Sequence, residues 1–159
     1  MSEERKFFDP NYFNIISKNY NQVCSEPIIL NISKENKFLE IPYIKMDPTQ
    51  VYISLLKIIN DNNILYNLLV FDLPGKSLIR YNPFELEKKD EIIIDSILKK
   101  YITGLYYEVI YDKGQSSYIY NNISLIYCTY KMLELYNESV LEEFNSLDEF
   151  VDWIIFSYT

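Results

Sequence analysis

A pair of apolar segments joined by a tight turn constrains the fold of this chain more than any other feature. Residues 64–72 are rich in strand-forming side chains, and a second such run, 77–81, follows shortly after Pro74 and Gly75. Proline followed by glycine favours a turn that reverses the chain, so the two runs are expected to pair as an antiparallel hairpin. The sequence therefore predicts a fold that contains a β-sheet.

Three further segments have the character of strands. Apolar residues dominate 27–32 and 38–44, and the polar stretch 33–36 between them fits a hairpin loop. Pro42 suits an edge strand, because proline cannot donate a ladder hydrogen bond. Residues 105–111 alternate in character, which predicts one more strand.

Three segments carry apolar residues at helical spacing. The first is 12–23, and another is 124–136, an apolar helix that carries Cys128. Between them, 85–102 begins with acidic and ends with basic residues, as the helix dipole favours. Gly104 follows as a C-terminal stop.

Two more helix starts are marked by capping residues. Asp47 followed by Pro48 predicts a helix that ends at residues 61–63. Residues 146–149 match the capping box, in which a serine and a glutamate satisfy each other's backbone N–H groups, and predict a last helix. The expected buried faces are Val51, Leu55, Ile58 and Ile59 in the former helix, and Phe150, Trp153 and Ile154 in the latter.

The order of these elements predicts one α+β domain over residues 1–159, with a mixed or antiparallel sheet of hairpins packed against several helices. The length of 159 residues suits a single core, and no internal repeat or linker divides it. Residues 1–10 are charged and are expected to be a mobile lead-in.

The composition excludes several kinds of chemistry. The chain has no histidine, so it cannot build a Ser–His–Asp or Cys–His catalytic group by itself. Structural zinc needs about four Cys or His ligands, and only two cysteines are present. Three isolated glycines cannot form a phosphate-binding loop, and no calcium-loop motif occurs. We therefore expect no metal and no cofactor.

Charge and cysteine usage restrict the partners and the compartment. A net charge of −8 disfavours both nucleic acid and membrane surfaces. The charged start of the chain does not suit a signal peptide, and no apolar run is long enough to span a bilayer. Two distant cysteines, Cys24 and Cys128, are then expected to be free thiols in an intracellular protein that is not secreted.

Cys128 has two interpretations. Near the start of a helix, backbone N–H groups lower a thiol pKa and favour a reactive thiolate. Free cysteine is also among the most buried residue types. The local sequence favours the second interpretation, a small apolar residue packed in the core.

Several short segments nevertheless resemble one enzyme family. Residues 65–72 resemble a His-x-Asn strand, 80–83 an Arg-aromatic-acid-Pro element, 114–115 the Gly-Gln before a nucleophile, and 127–130 the nucleophile helix. In this order they are similar to the cysteine peptidases of the adenovirus-protease and SUMO-protease type, especially divergent members from large DNA viruses. The resemblance covers roughly residues 64–137.

That resemblance implies a papain-like core and roles for four positions. Cys128 would be the vestigial nucleophile, Gln115 the oxyanion-stabilising side chain, and Asn82 the orienting residue. The histidine position is occupied by Leu65, or by Tyr66 if the register shifts by one, and neither accepts a proton from a thiol at neutral pH. The resemblance therefore implies an inactive relative.

Three functions remain open at this point. The first is a non-catalytic protein-binding or structural module, intracellular or in a virion, that holds an extended segment in a groove at Tyr66, Gln115 and Cys128. The second is a cysteine enzyme whose base comes from a partner. The third is an architectural protein unrelated to peptidases. A protein partner is expected, and a homo-oligomer is left open.

Overall fold

The computed structural model describes residues 5–6, 11–24, 26–43, 45–83, 86–111, 119–120, 123–136 and 144–158. The strands are β1 (Arg5–Lys6), β2 (Ile28–Asn31), β3 (Phe38–Glu40), β4 (Val51–Asn60), β5 (Asn63–Asp72), β6 (Ser77–Asn82), β7 (Tyr106–Tyr111) and β8 (Ile119–Tyr120). The helices are α1 (Asn11–Ser17), α2 (Lys88–Tyr101), α3 (Ile123–Leu135) and α4 (Leu147–Tyr158). The predicted α+β class is confirmed.

Six strands form one mixed sheet in the order β3-β2-β4-β5-β6-β7. Its centre is antiparallel, since β4 pairs with β5 along ten residues and β5 pairs with β6 through the predicted hairpin. Parallel pairs occur between β2 and β4 and between β6 and β7. The second parallel pair requires a crossover, and α2 provides it.

The predicted helix that starts at Asp47 is wrong, because this segment is strand β4. Its residues alternate between the two faces of the sheet: Ile53 and Leu55 belong to one apolar cluster, and Leu56 and Ile58 to the other. A central strand that is buried on both faces has nearly continuous apolar character, which imitates helical spacing. The side chain of Asp47 caps a turn instead, accepting hydrogen bonds from the backbone N–H and the hydroxyl of Thr49 at 2.9 and 2.8 Å.

Helices cover both faces of the sheet and enclose two apolar clusters. On one face α1, α3 and α4 pack over β4, β5 and β6, with Phe13, Leu68 and Phe150 among the buried side chains. On the other face α2 packs through Ile94 and Leu98. We call these the three-helix face and the α2 face.

Of the remaining predictions, the first helix, 12–23, is too long: α1 ends at Ser17, and Val23 forms an isolated bridge with Ile53. Tyr20 and Val23 continue the apolar pattern because they pack against the same cluster from outside the helix.

Both hairpins, the strand 105–111 and the helices at 85–102 and 124–136 are confirmed within a few residues. The serine cap of the predicted capping box is confirmed, because Glu149 N–H donates to Ser146 Oγ at 3.3 Å. The reciprocal half differs, since Glu149 Oε2 accepts from the N–H of Asn145, one residue before the cap, at 2.8 Å. Within the predicted lead-in, β1 pairs in parallel with β8.

Among the described residues, no helix combines the length and the apolar character that crossing a membrane requires.

Candidate functional site

The most unusual feature of the interior is an arginine without any exposed surface. Arg80 lies on β6, is 0% exposed, and projects toward α2 between Leu78 and Asn82. Burying a charge is costly unless it is paired and hydrogen-bonded, so the surroundings of Arg80 must supply partners. They come from β5, β7 and α2.

The guanidinium group of Arg80 donates in three directions. Nη1 donates to Asn67 Oδ1 at 2.6 Å, and Nε donates to the Tyr107 hydroxyl at 2.7 Å. Nη2 forms ion pairs with Glu91 and, at 3.3 Å, with Asp95. The Tyr107 hydroxyl in turn donates to Asp95 Oδ1 at 2.6 Å. The charge of Arg80 is therefore neutralised inside the fold.

Two further residues complete this network. Asn82 Nδ2 donates to Glu91 Oε1 at 2.8 Å, and Asn67 Nδ2 donates to Asn82 Oδ1 at 3.3 Å. At the surface end, the Tyr111 hydroxyl donates to Glu91 Oε2 at 3.3 Å. We call the whole set the Arg80 cluster; it consists of Asn67, Arg80, Asn82, Glu91, Asp95, Tyr107 and Tyr111.

The protonation of the Arg80 cluster is fixed by its neighbours. Burial alone would lower the pKa of Arg80, but Tyr107 and Glu91 outweigh it and raise that pKa above its ordinary value. Burial raises the pKa of Tyr107 strongly, more than the nearby guanidinium lowers it. Both groups therefore keep their protons at physiological pH. Through its ion pairs and hydrogen bonds, the cluster holds α2 against the sheet.

The structure does not bring the predicted vestigial positions together. Asn82 lies in the Arg80 cluster and Leu65 packs against the apolar cluster beneath α2, so both are on the α2 face. Cys128 lies on α3, in the apolar cluster of the three-helix face. The sheet separates them, which contradicts a common cleft for Leu65, Asn82 and Cys128. Gln115 lies outside the described residues.

Tyr66 is the one described position that does lie beside the cysteine helix. Its backbone N–H donates to Ser124 Oγ, on the first turn of α3, at 3.0 Å. Burial, and to a smaller extent the nearby Cys128, raises the pKa of Tyr66. Successive strand residues point to opposite faces of the sheet. If the histidine position of the resemblance is Leu65, it lies on the α2 face; if it is Tyr66, it lies on the three-helix face, as Cys128 does.

Cys128 itself is sealed in the core, as the local sequence suggested. It is 0% exposed, and burial raises its thiol pKa well above the ordinary value. It is the sixth residue of α3, beyond the first turn whose free N–H groups would favour a thiolate. Cys24 differs: it is half-buried and lines a surface pocket of about 280 Å³, although burial raises its pKa as well.

Arg80, Glu91 and Asn67 were not predicted as a unit from the sequence. A usable signal existed in β6, where Leu78, Arg80 and Asn82 share one face because strand side chains alternate. A charged residue in phase with a buried leucine indicates a buried ion pair. Finding its partner on α2 required the tertiary structure.

The two edges of the sheet differ in how they meet solvent. β3 is three residues long and is followed within two residues by Pro42. β7 is six residues long and, within the described part of the chain, pairs only with β6. Its tyrosines are prominent at the surface, Tyr106 being 74% exposed and Tyr111 50%. An edge of six residues that contains no proline and a single charged side chain, Glu108, can serve as a template for another strand.

No protein-family model, no curated protein and no solved structure matches this chain.

Proposed function

We propose that this protein is a non-catalytic interaction module that binds an extended protein segment along the edge of β7. The observation that carries the proposal is the outer edge of β7, with which no other strand in the described part of the chain pairs; β7 is six residues long and begins and ends with exposed Tyr106 and Tyr111. Strand addition obtains affinity from main-chain hydrogen bonds and selectivity from alternate side chains. Tyrosine is also enriched at protein interfaces.

The chemistry of the interior supports a non-catalytic role. Cys128 is inaccessible and its thiol is held protonated by burial. The polar groups of the Arg80 cluster form hydrogen bonds to one another. The chain itself has no histidine to serve as a base. The predicted groove at Tyr66, Gln115 and Cys128 is replaced in this proposal by the β7 edge, because Cys128 has no exposed surface.

We include descent from the cysteine peptidases in this proposal only for the alignment that sets Tyr66 at the histidine position. With Tyr66 at the histidine position, that residue lies on the same sheet face as Cys128 and next to the first turn of α3. With Leu65 there, the position lies on the opposite face. Asn82 does not fit the orienting role in either register, because it bonds to Glu91 on the α2 face.

Peptide selection tests the binding function. Extended peptides selected on the protein from a displayed random library should lose affinity for a Val109→Pro variant, whose edge lacks one N–H donor. They should also respond to Glu108→Lys, which reverses the one charge on β7. Glu40→Lys makes the same exchange on the opposite edge strand, β3, and serves as the matched control. Peptides that bind all three variants equally would place binding elsewhere and overturn the proposal.

Thiol alkylation tests the non-catalytic character. At neutral pH, Cys24 should react with iodoacetamide well ahead of Cys128, because only Cys24 reaches the surface. Mass spectrometry of the labelled protein distinguishes the two sites. Faster labelling of Cys128 would instead support a cysteine enzyme that borrows its base from a partner.

A further inference from the structure

We infer that the segment that occupies the β7 edge is β7 of a second copy of this chain, paired antiparallel about a twofold axis at Val109. This inference rests on the proposed function, since it names the partner of the same edge. Three features support it: the outward backbone N–H and C=O groups of β7, the side chains that would pair across the two strands, and the charges of α2.

The backbone of β7 fixes which groups face outward. Tyr106 N–H donates to the carbonyl of Lys76 at 2.8 Å, so the backbone groups of Tyr106 point toward β6. Because these directions alternate along a strand, those of Tyr107, Val109 and Tyr111 point away from the sheet. A twofold axis at Val109 sets Tyr107 opposite Tyr111 of the second copy. Every outward N–H and C=O group of the three residues then meets a partner.

The side chains of β7 are compatible with this register. On the α2 face, Val109 meets its own copy and each Tyr107 meets a Tyr111, and aromatic cross-strand pairs stabilise sheets. On the three-helix face, Glu108 lies opposite Ile110 of the second copy. Glu108, the one charged side chain of β7, therefore does not lie opposite Glu108 of the second copy. Two glutamates at opposite positions would repel each other, in a chain whose net charge is already −8.

The charges of α2 are complementary across the same axis. Glu91, near the start of α2, bonds to Tyr111 at the end of β7, whereas Lys99, near the end of α2, lies 5.8 Å from the ring of Tyr107. The helix therefore runs antiparallel to the strand. A twofold axis at Val109 brings the first turn of one α2, with Asp90, toward the basic last turn of the other, with Lys99 and Lys100. The helix dipoles are then antiparallel as well.

The opposite edge of the sheet does not offer this pairing. β3 has three residues, and Pro42 soon after it lacks the N–H that a longer ladder needs. Short edges and prolines are devices by which proteins avoid edge-to-edge contact. β7 has neither within its six residues.

Light scattering across a concentration series tests the inference. The mass should rise from 19.1 kDa toward twice that value as the full chain is concentrated to about 200 µM. Ile110→Lys and Ile110→Glu form a matched pair, because both place a charge at the same half-buried position. Ile110→Lys creates two ion pairs with Glu108 of the other copy, and Ile110→Glu creates two repulsions. We expect dimer affinity to rise roughly tenfold with lysine and to fall roughly tenfold with glutamate.

Each outcome of this experiment decides something. A chain that stays monomeric at every concentration, or a dimer whose affinity moves in the same direction in both Ile110 variants, overturns the pairing at Val109. Circular dichroism verifies that each variant is folded, and Val109→Pro, which removes the donor on the axis, provides an independent loss of dimer. If the chain is monomeric but selected peptides still respond to Val109→Pro, strand binding stands and only the second copy is excluded. If the chain is monomeric and the selected peptides do not respond to Val109→Pro, both proposals fail.

Discussion

The two faces of the sheet solve the problem of burial in different ways. The three-helix face encloses apolar side chains and one thiol, with Cys128, Ile126 and Phe150 all at 0% exposure. The α2 face encloses an equally buried arginine together with Asn82 and Glu91. The first depends mainly on matched shape and volume, although buried Ser124 and Thr129 on α3 also form hydrogen bonds. The second needs hydrogen-bonding atoms at fixed positions on β5, β6, β7 and α2.

The difference shows how each face tolerates change. Truncating an apolar side chain on the three-helix face leaves a cavity, and neighbouring side chains relax partly into it. Removing a partner from the Arg80 cluster leaves a charge buried and unpaired, and relaxation does not remove that cost. The α2 face should therefore be the more sensitive of the two to single substitutions.

Arg80→Leu should have the largest effect. It removes the guanidinium group that neutralises Glu91 and Asp95, and breaking a buried pair on one side costs about 4 kcal/mol of the free energy of unfolding. Urea denaturation measures the loss. Ser96→Leu, at an exposed position of α2, is the control and should change stability by less than about 0.5 kcal/mol. Equal, small effects of both variants would mean that the Arg80 cluster does not hold α2 in place.

Leu125→Ala tests how sensitive the stability is to a substitution on the three-helix face. Leu125 is 1% exposed on α3, and its truncation should cost about 3 kcal/mol through lost burial and a cavity. The matched control on the same helix is Leu135→Ala, where the leucine is 37% exposed and the loss should be much smaller. The cost of Leu125→Ala should not depend on salt, since no charge is involved. A loss below about 1 kcal/mol would indicate a loosely packed face.

Tyr107→Phe tests the pH dependence of the Arg80 cluster. At neutral pH the variant should lose about 1–2 kcal/mol, because the hydroxyl accepts from Arg80 and donates to Asp95. The folded protein raises the pKa of Tyr107 above its unfolded value of about 10, so this contribution is full below pH 10 and declines as pH rises further. The stability gap between wild type and variant should therefore narrow above pH 10.

Chemical denaturation at several alkaline pH values measures this gap. Tyr106→Phe is the control, since Tyr106 lies on the same strand but is 74% exposed. A gap that stays constant between neutral pH and pH values above about 10 would contradict the role assigned to the Tyr107 hydroxyl.

Ser146→Ala should have the smallest effect. Ser146 caps α4 on the three-helix face by accepting the N–H of Glu149, and removing such a cap costs about 1 kcal/mol. Ser157→Ala, at the exposed end of the same helix, should leave thermal stability unchanged. A loss as large as that of Leu125→Ala would show that the cap also positions Phe150 in the core.

The sequence predicts most helices and strands correctly, but it assigns β4 to a helix and does not show on which face of the sheet each candidate site residue lies. The hairpin of β5 and β6, helix α2 and the serine cap of α4 depend on local turn and cap chemistry, so neighbouring residues suffice to predict them. Strand β4 imitates a helix because both of its faces are buried, which no local pattern reveals. The predicted meeting of Asn82 with Cys128 is wrong because order along the chain does not state which face of the sheet a side chain occupies.

By itself, the sequence determined the α+β class, the positions of the turns and caps, and the absence of a histidine base. The tertiary structure alone decided that Arg80 pairs with Glu91 and Asp95 on a crossover helix and that the sheet separates Asn82 from Cys128. It also decided that β7 is an edge strand among the strands that the structure describes. The physical reason is the separation along the chain of the residues that interact. Turns and caps are stabilised between residues a few positions apart, whereas pairing a buried charge or leaving a strand at the edge depends on which distant segments the fold brings together.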